Sequence, residues 1–140
     1  MEAPVHASTV AVRQGGAWTA VAILGPSGSG KSDLALRLIG RGRRLVSDDY
    51  TRMWTSGGAL YAAAPESIAG RIEARGVGIV ATPTRSLARV ALAVTCVGET
   101  VERLPEPRTT ALAGVEIPVL ALDPRPASAV EMVAAALQAL

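Results

Sequence analysis

One short stretch of the sequence has the residue types and spacing of a phosphate-binding loop. It fits the pattern G-x-x-x-x-G-K-[S/T], and its members are Gly25, Pro26, Ser27, Gly28, Ser29, Gly30, Lys31 and Ser32. Glycines let successive backbone N–H groups turn toward a phosphate, and the start of a following helix adds a favourable dipole. Lys31 would reach the β- and γ-phosphates, and the Ser32 hydroxyl would ligate Mg²⁺. The stretch predicts a nucleotide site rather than a flexible glycine-serine turn.

The identity of the cation in this stretch supports the prediction. Lys31 is the only lysine of the chain, although lysine and arginine together number 14. A site at the β- and γ-phosphates requires a compact, flexible ammonium, and a planar guanidinium does not replace it.

Two adjacent acids, Asp48 and Asp49, follow the short strand-like run Leu45–Ser47. Ligands of α/β sheets lie at the carboxyl ends of strands, so we expect at least one of these carboxylates to face the phosphates. One acid can serve the metal and the other can accept a hydroxyl proton, and the sequence leaves open which does which. The alternative is an ordinary polar turn.

A third segment, EARGVGI at residues 73–79, places a charged pair beside two glycines and leads into a β-rich run. It could bring the carboxylate of Glu73 close to a metal ion. Taken alone, the segment is better explained as the turn that ends a helix, with a surface ion pair.

The pattern around these residues predicts an α/β domain. Apolar, β-rich runs predict strands at 5–12, 17–24, 45–47, 77–81, 89–97 and 115–122, with a hairpin formed by 51–55 and 59–62. Helices are expected at 32–39, 65–75 and 128–140. Because an antiparallel hairpin precedes the glycine loop, we expect a mixed sheet flanked by helices. Length and pattern favour one domain over residues 1–140.

The composition excludes several classes of protein. With 49% hydrophobic and 19% charged residues, the chain is too apolar to be disordered. It shows no secretory signal and no apolar run of the roughly 18 residues that a membrane span needs. Its single cysteine, Cys96, excludes an internal disulfide. We expect a cytoplasmic domain without a membrane partner, and a net charge of +2 is too small to indicate nucleic acid.

Three segments together carry a resemblance to a known family. The chain contains GPSGSGKSDLALRLIGRGRRLVSDD and, further on, EARGVGI. In order and spacing these resemble the P-loop, the "RG-x-RLV-x-DD" segment and the "E-x-RG-x-GI" signature of the HPr kinase/phosphorylase catalytic domain, in its short form. The resemblance implies a phosphoenolpyruvate-carboxykinase-like core, often hexameric. It also implies Mg²⁺-dependent transfer of the ATP γ-phosphate to a serine of the phosphocarrier protein HPr, and in many members phosphorolysis of that phosphoserine.

The resemblance also implies roles for single residues. Lys31 would be the phosphate lysine, and Ser32 and Glu73 would be Mg²⁺ ligands. Asp49 would accept the proton of the substrate serine, and Asp48 would assist it or hold a metal-bound water, although the two acids could exchange roles.

Two further catalytic candidates come from the same resemblance. His6 matches a family histidine at the start of the first strand, where a lone histidine is otherwise an ordinary strand residue. Arg103 resembles an arginine before the final strand that neutralises charge on the transferring phosphoryl group; the alternative is an ordinary loop arginine.

The chain departs from the long forms of the family, and two other functions stay open. We expect the protein to lack the N-terminal domain of the long forms, and only residues 123–126 stand near their C-terminal "P-G-R-N" segment. These departures favour kinase over phosphorylase activity. A small-metabolite kinase would use the arginines of 103–108 as a lid. A regulatory module would bind ATP without transfer, and the acids at 48, 49 and 73 argue against it.

Overall fold

The computed structural model describes residues 3–99 and 101–140, and most of them belong to one mixed sheet. Within that part of the chain the strands are β1 (Val5–Gln14), β2 (Ala17–Leu24), β3 (Arg44–Ser47), β4 (Tyr50–Ser56), β5 (Ala59–Ala63), β6 (Arg71–Ala74), β7 (Gly78–Ala81), β8 (Ala88–Cys96), β9 (Arg108–Leu112) and β10 (Val115–Leu122). The helices are α1 (Lys31–Gly40) and α2 (Ala129–Gln138), with a single 3₁₀ turn at Glu66–Ile68.

The pairing of the strands determines where the chain can place functional groups. The strand order is β2-β1-β4-β5-β8-β10-β9, and an additional β2–β8 pairing closes β1, β2, β8, β5 and β4 into a ring. β2, β8 and β10 are mutually parallel, whereas β1 runs antiparallel to β2, β3 and β4. The carboxyl ends of β2, β3, β8 and β10 therefore meet at one edge of the sheet, together with the first residues of β1.

Two apolar cores lie on opposite faces of the sheet. Helices α1 and α2 cover one face with branched side chains such as Leu34, Leu38 and Val133, which pack on Val10 and Ile23. The other core lies on the opposite face and is rich in alanine, with Ala7, Ala11, Ala20, Ala22, Ala62 and Ala93. β2 contributes to both cores, so this strand is buried on both faces of the sheet.

The sequence-based helix at 65–75 is wrong. The chain makes one 3₁₀ turn and then enters β6, which pairs with β7 as a separate two-stranded sheet. Burial alternates along β6, with Ile72 and Ala74 inside and Arg71 and Glu73 exposed, a period of two that belongs to a strand. Gly70 has a φ of 78°, which turns the backbone between the two elements.

The remaining differences are local. β9 was not predicted, because most of its residues are exposed and no alternation of apolar side chains marks it. The other predicted strands and the helices at 32–39 and 128–140 are confirmed to within a few residues. No helix among the described residues has both the length and the apolar character to cross a membrane.

Candidate active site

The loop from Gly25 to Gly30 joins β2 to α1 and has the close internal packing of a phosphate cradle. A Cβ added at Gly25, where φ is 144°, would lie 2.6 Å from Ser29 Oγ. The Ser29 backbone N–H donates to the Pro26 carbonyl at 3.1 Å and closes the turn. Gly30 has a φ of 99°, and a Cβ there would meet Pro124 Cγ at 3.0 Å. Side chains at either glycine would therefore distort the loop.

Lys31 begins α1 and is almost completely buried, with 5% of its surface exposed. Its Nζ donates to the Pro26 carbonyl at 3.0 Å, so the ammonium lies folded back on the loop that precedes it. A buried ammonium with one protein acceptor retains further N–H donors for an anion held in the loop.

Asp48 lies directly after β3, and its carboxylate accepts hydrogen bonds from several elements at this edge of the sheet. The residue is 9% exposed. Its Oδ1 accepts from Ser32 Oγ at 2.7 Å and from Ser8 Oγ at 2.9 Å, and its Oδ2 accepts from the Glu73 backbone N–H at 3.2 Å. One carboxylate thus connects α1, β1 and β6.

Asp49 has the opposite environment. Its φ of 67° lies in the left-handed region, a conformation that aspartate tolerates better than most residues. Its backbone N–H donates to Ser8 Oγ at 3.1 Å, and its Oδ1 lies 2.9 Å from His6 Nε2. The Asp49 side chain is 54% exposed, and the His6 ring stacks on Tyr50 with centroids 5.2 Å apart. The exposed acid of the pair is therefore the one that a molecule arriving from solvent can reach.

Two predicted site residues make fewer contacts with this group. Glu73 meets Asp48 through its backbone, while the residue as a whole is exposed. Arg103 lies in the exposed segment between β8 and β9. Their roles as metal ligand and as charge-neutralising arginine stay predictions.

The donor set fits a nucleotide with Mg²⁺. Ser29 Oγ is buried in the loop and has no hydrogen-bond partner among the described residues, so a polar group of a ligand can supply one. Ser32 Oγ and the Asp48 carboxylate are hard oxygen donors side by side. Within the described chain no three His, Cys, Asp or Glu side chains form a metal cluster, and Mg²⁺ commonly binds through one or two protein oxygens plus phosphates and waters.

A cleft of about 430 Å³ opens beside the loop, on the side away from the two acids. The ends of β8 and β10 form its other walls, and Cys96 belongs to its lining. Cys96 is 4% exposed. Burial raises the pKa of its thiol to about 11, an effect that the positive charges of Lys31 and Arg37 offset only in part.

Ser8 is the functional residue that sequence reasoning missed. It is completely buried, donates to Asp48 and accepts from the Asp49 backbone, so it fixes the relative orientation of the two acids. The available signal was a small polar residue in an apolar strand, two positions after His6. The partners are 40 and 41 residues away in sequence, which no local pattern reveals.

Replacement of Ser8 tests its hydrogen bonds to Asp48 and Asp49. Ser8→Ala should lower the free energy of unfolding by about 1–3 kcal/mol, because it leaves a buried donor and acceptor without their partner. Ser128→Ala is the matched control, since Ser128 is exposed and makes no side-chain capping bond. Urea unfolding of both variants measures the difference. Equal stability of the two variants would contradict the assigned hydrogen bonds.

The chemistry of Cys96 gives a second test. With its pKa near 11, only about one thiol in a thousand is ionised at pH 8, and the thiolate is the form that attacks iodoacetamide. Native protein should therefore be alkylated far more slowly than protein in urea, where the pKa returns to about 8.5. Because the chain has one cysteine, the labelled fraction reads this site alone. Equal rates in both states would show that the thiol is not buried.

Comparison with known proteins identifies the family. Residues 1–138 match the family model described as the HPr serine kinase C-terminal domain. The chain is 52% identical over 61 residues to the HPr kinase/phosphorylase of Brevibacillus brevis and 45% identical over 60 residues to that of Clostridium botulinum. Each match covers 43% of this chain and 20% of the relative, so the matched segments span about a fifth of the relatives' length.

The fold also has a solved counterpart. The structure of the HPr(Ser) kinase/phosphatase from Coxiella burnetii aligns with a TM-score of 0.82 at 23% sequence identity, over 99% of this chain and 95% of that one. At this identity the likeness concerns the fold, and it confirms the expected mixed α/β architecture. Because the family model covers nearly the whole chain, the protein belongs to the family of HPr serine kinase C-terminal domains.

Proposed function

We propose that this domain transfers the γ-phosphate of ATP to a serine of the phosphocarrier protein HPr, with Mg²⁺ as its metal. The observation that carries the proposal is the position of Asp48, which links the phosphate loop to the exposed Asp49–His6 pair. The printed names of the relatives, HPr kinase/phosphorylase, supply the substrate. A hexameric assembly, which the resemblance implies, stays a prediction.

The phosphate loop and Lys31 would hold the triphosphate of ATP. The Lys31 ammonium already lies against the loop, 3.0 Å from the Pro26 carbonyl, and retains further N–H donors for a phosphate. Ser32 and Asp48 would hold Mg²⁺, with Glu73 as the further ligand that the resemblance implies. When bound, the metal neutralises charge on the β- and γ-phosphate oxygens.

Asp49 would receive the proton of the substrate hydroxyl. Its exposed carboxylate has one oxygen bonded to His6, which orients it and leaves the second oxygen for the incoming serine. Phosphoryl transfer depends mainly on alignment and charge neutralisation, so a correctly placed carboxylate suffices as base. Arg103 is assigned the neutralisation of charge on the transferring group.

The same residues serve the reverse reaction. There, inorganic phosphate would attack the phosphoserine, pyrophosphate would form, and Asp49 would return its proton to the departing serine oxygen. The requirement for one group that accepts a proton in one direction and donates it in the other is met by an exposed carboxylate.

Transfer to HPr tests the proposal. The native protein with radiolabelled ATP, Mg²⁺ and HPr should yield phosphoserine, and HPr with its acceptor serine replaced by alanine should stay unlabelled. Asp49→Asn should lose about 10²-fold or more of the turnover while still binding ATP, because only the proton acceptor is removed. Glu131→Gln, which alters another exposed carboxylate in an ion pair, is the matched control.

Two results would contradict the proposal. If the native protein binds ATP but labels no HPr, the proposed kinase activity is contradicted. The alternative, a regulatory module that binds ATP without transfer, then gains support. If Asp49→Asn transfers phosphate at the native rate, the domain does not use this carboxylate as its base.

A further inference from the structure

The cleft beside the phosphate loop lies where the nucleoside of a bound nucleotide would be. β2, β8 and β10 are parallel, and the segments that follow them are the phosphate loop, residues 97–98 and residues 123–125. Crevices at the carboxyl ends of adjacent parallel strands are the usual ligand sites of α/β sheets. The volume of about 430 Å³ is in the range of small-molecule pockets.

The phosphate loop separates this cleft from the two acids. Residues 26–30 of the loop line the cleft, whereas Asp48, Asp49 and His6 do not. The acids follow β3, which pairs with β1 on the other side of β2. A triphosphate with its γ-end at the acids would therefore have its opposite end, which carries the nucleoside, at the cleft.

Among the described residues that line the cleft none is aromatic, and Arg125 is the one arginine, whose guanidinium is planar. The Asp123 carboxylate holds it by two bonds of 2.9 Å, from Nε to Oδ1 and from Nη2 to Oδ2. Nη2 also donates to the Gly98 carbonyl at 3.2 Å, so the plane spans the ends of β8 and β10. The Arg125 side chain stays 72% exposed, and this leaves its face open to a ligand.

The wall that carries Arg125 is fixed to the helix of the phosphate loop. Arg37 of α1 donates to the carbonyls of Pro124 and Pro126, and Pro124 abuts Gly30 of the loop. Phosphate loop and guanidinium plane therefore form one preorganised unit, and little ordering is required when a ligand enters.

From this arrangement we propose that Arg125 is the nucleoside-positioning residue of the domain, and that the base of the nucleotide stacks on its guanidinium plane. The inference rests on the proposed nucleotide site and adds to it how the donor is recognised. Guanidinium planes stack on nucleic acid bases, and such stacking tolerates any base because each has a π-face. Asp123 acts through Arg125, by holding the plane in place.

Titration with two ligands separates the nucleoside from the phosphates. ATP and inorganic triphosphate, each with Mg²⁺, are titrated calorimetrically into the native protein, Arg125→Ala and Arg125→Lys. Arg125→Ala should weaken ATP binding by about five- to tenfold and triphosphate binding by about twofold or less. Arg125→Lys keeps the charge but loses the plane, so it should behave like the alanine variant toward ATP.

Arg13→Ala is the matched control, because Arg13 is an exposed arginine near the end of β1 that lies away from the candidate site. It should bind both ligands like the native protein. Equal weakening of ATP and triphosphate by Arg125→Ala would mean that Arg125 acts on the phosphates by charge, and would overturn the inference. An unchanged affinity for ATP would overturn it as well.

The two proposals fail in different ways. Native protein that binds neither ligand would disprove the nucleotide site, and the nucleoside inference with it. Native protein whose ATP binding depends on the Arg125 plane, but which labels no HPr, would disprove the kinase activity alone.

Discussion

A single buried carboxylate constrains the functional edge of this domain. The residue Asp48 is 9% exposed, and three donors from α1, β1 and β6 hydrogen-bond to its carboxylate. A carboxylate buried without such partners would lower the free energy of unfolding by several kcal/mol. The three elements must therefore keep their relative positions, and the phosphate loop, which leads into α1, is held against the exposed acid.

The strand arrangement makes that constraint possible. Because β2, β3, β8 and β10 end at the same edge, the predicted phosphate loop, the turn that carries the acids and the segments that line the cleft are neighbours in space. β2 lies between the two apolar cores, so the loop that follows it starts from a rigid base. As a result, the two acids lie on one side of the phosphate loop, and the guanidinium of Arg125 lies on the other.

The sequence predicted the local features well. The phosphate loop, α1 and the first two strands follow from a motif and from apolar patterns that lie within 40 consecutive residues. Helix 65–75 was wrong because a short segment with alternating burial, β6, contains too few residues to display its period. β9 was missed because an exposed edge strand has little apolar signal.

The organisation of the site was less predictable, since it depends on contacts between distant segments. Asp48 and Asp49 are chemically identical in the sequence, and their different environments arise from the turn at φ 67° and from Ser8 on another strand. The grouping of Arg125 with Gly98 and the phosphate loop likewise requires the parallel pairing of β8 with β10 and β2.

We propose that Asp48 couples the phosphate loop to the metal. The most direct test is the affinity of Asp48→Asn for ATP with Mg²⁺ and with EDTA, compared with the native protein. Native protein should bind ATP about tenfold or more tightly when Mg²⁺ is present, and the variant, which keeps the shape but loses the charge, should lose most of that difference. A variant that retains the full effect of Mg²⁺ on ATP affinity would contradict the claim.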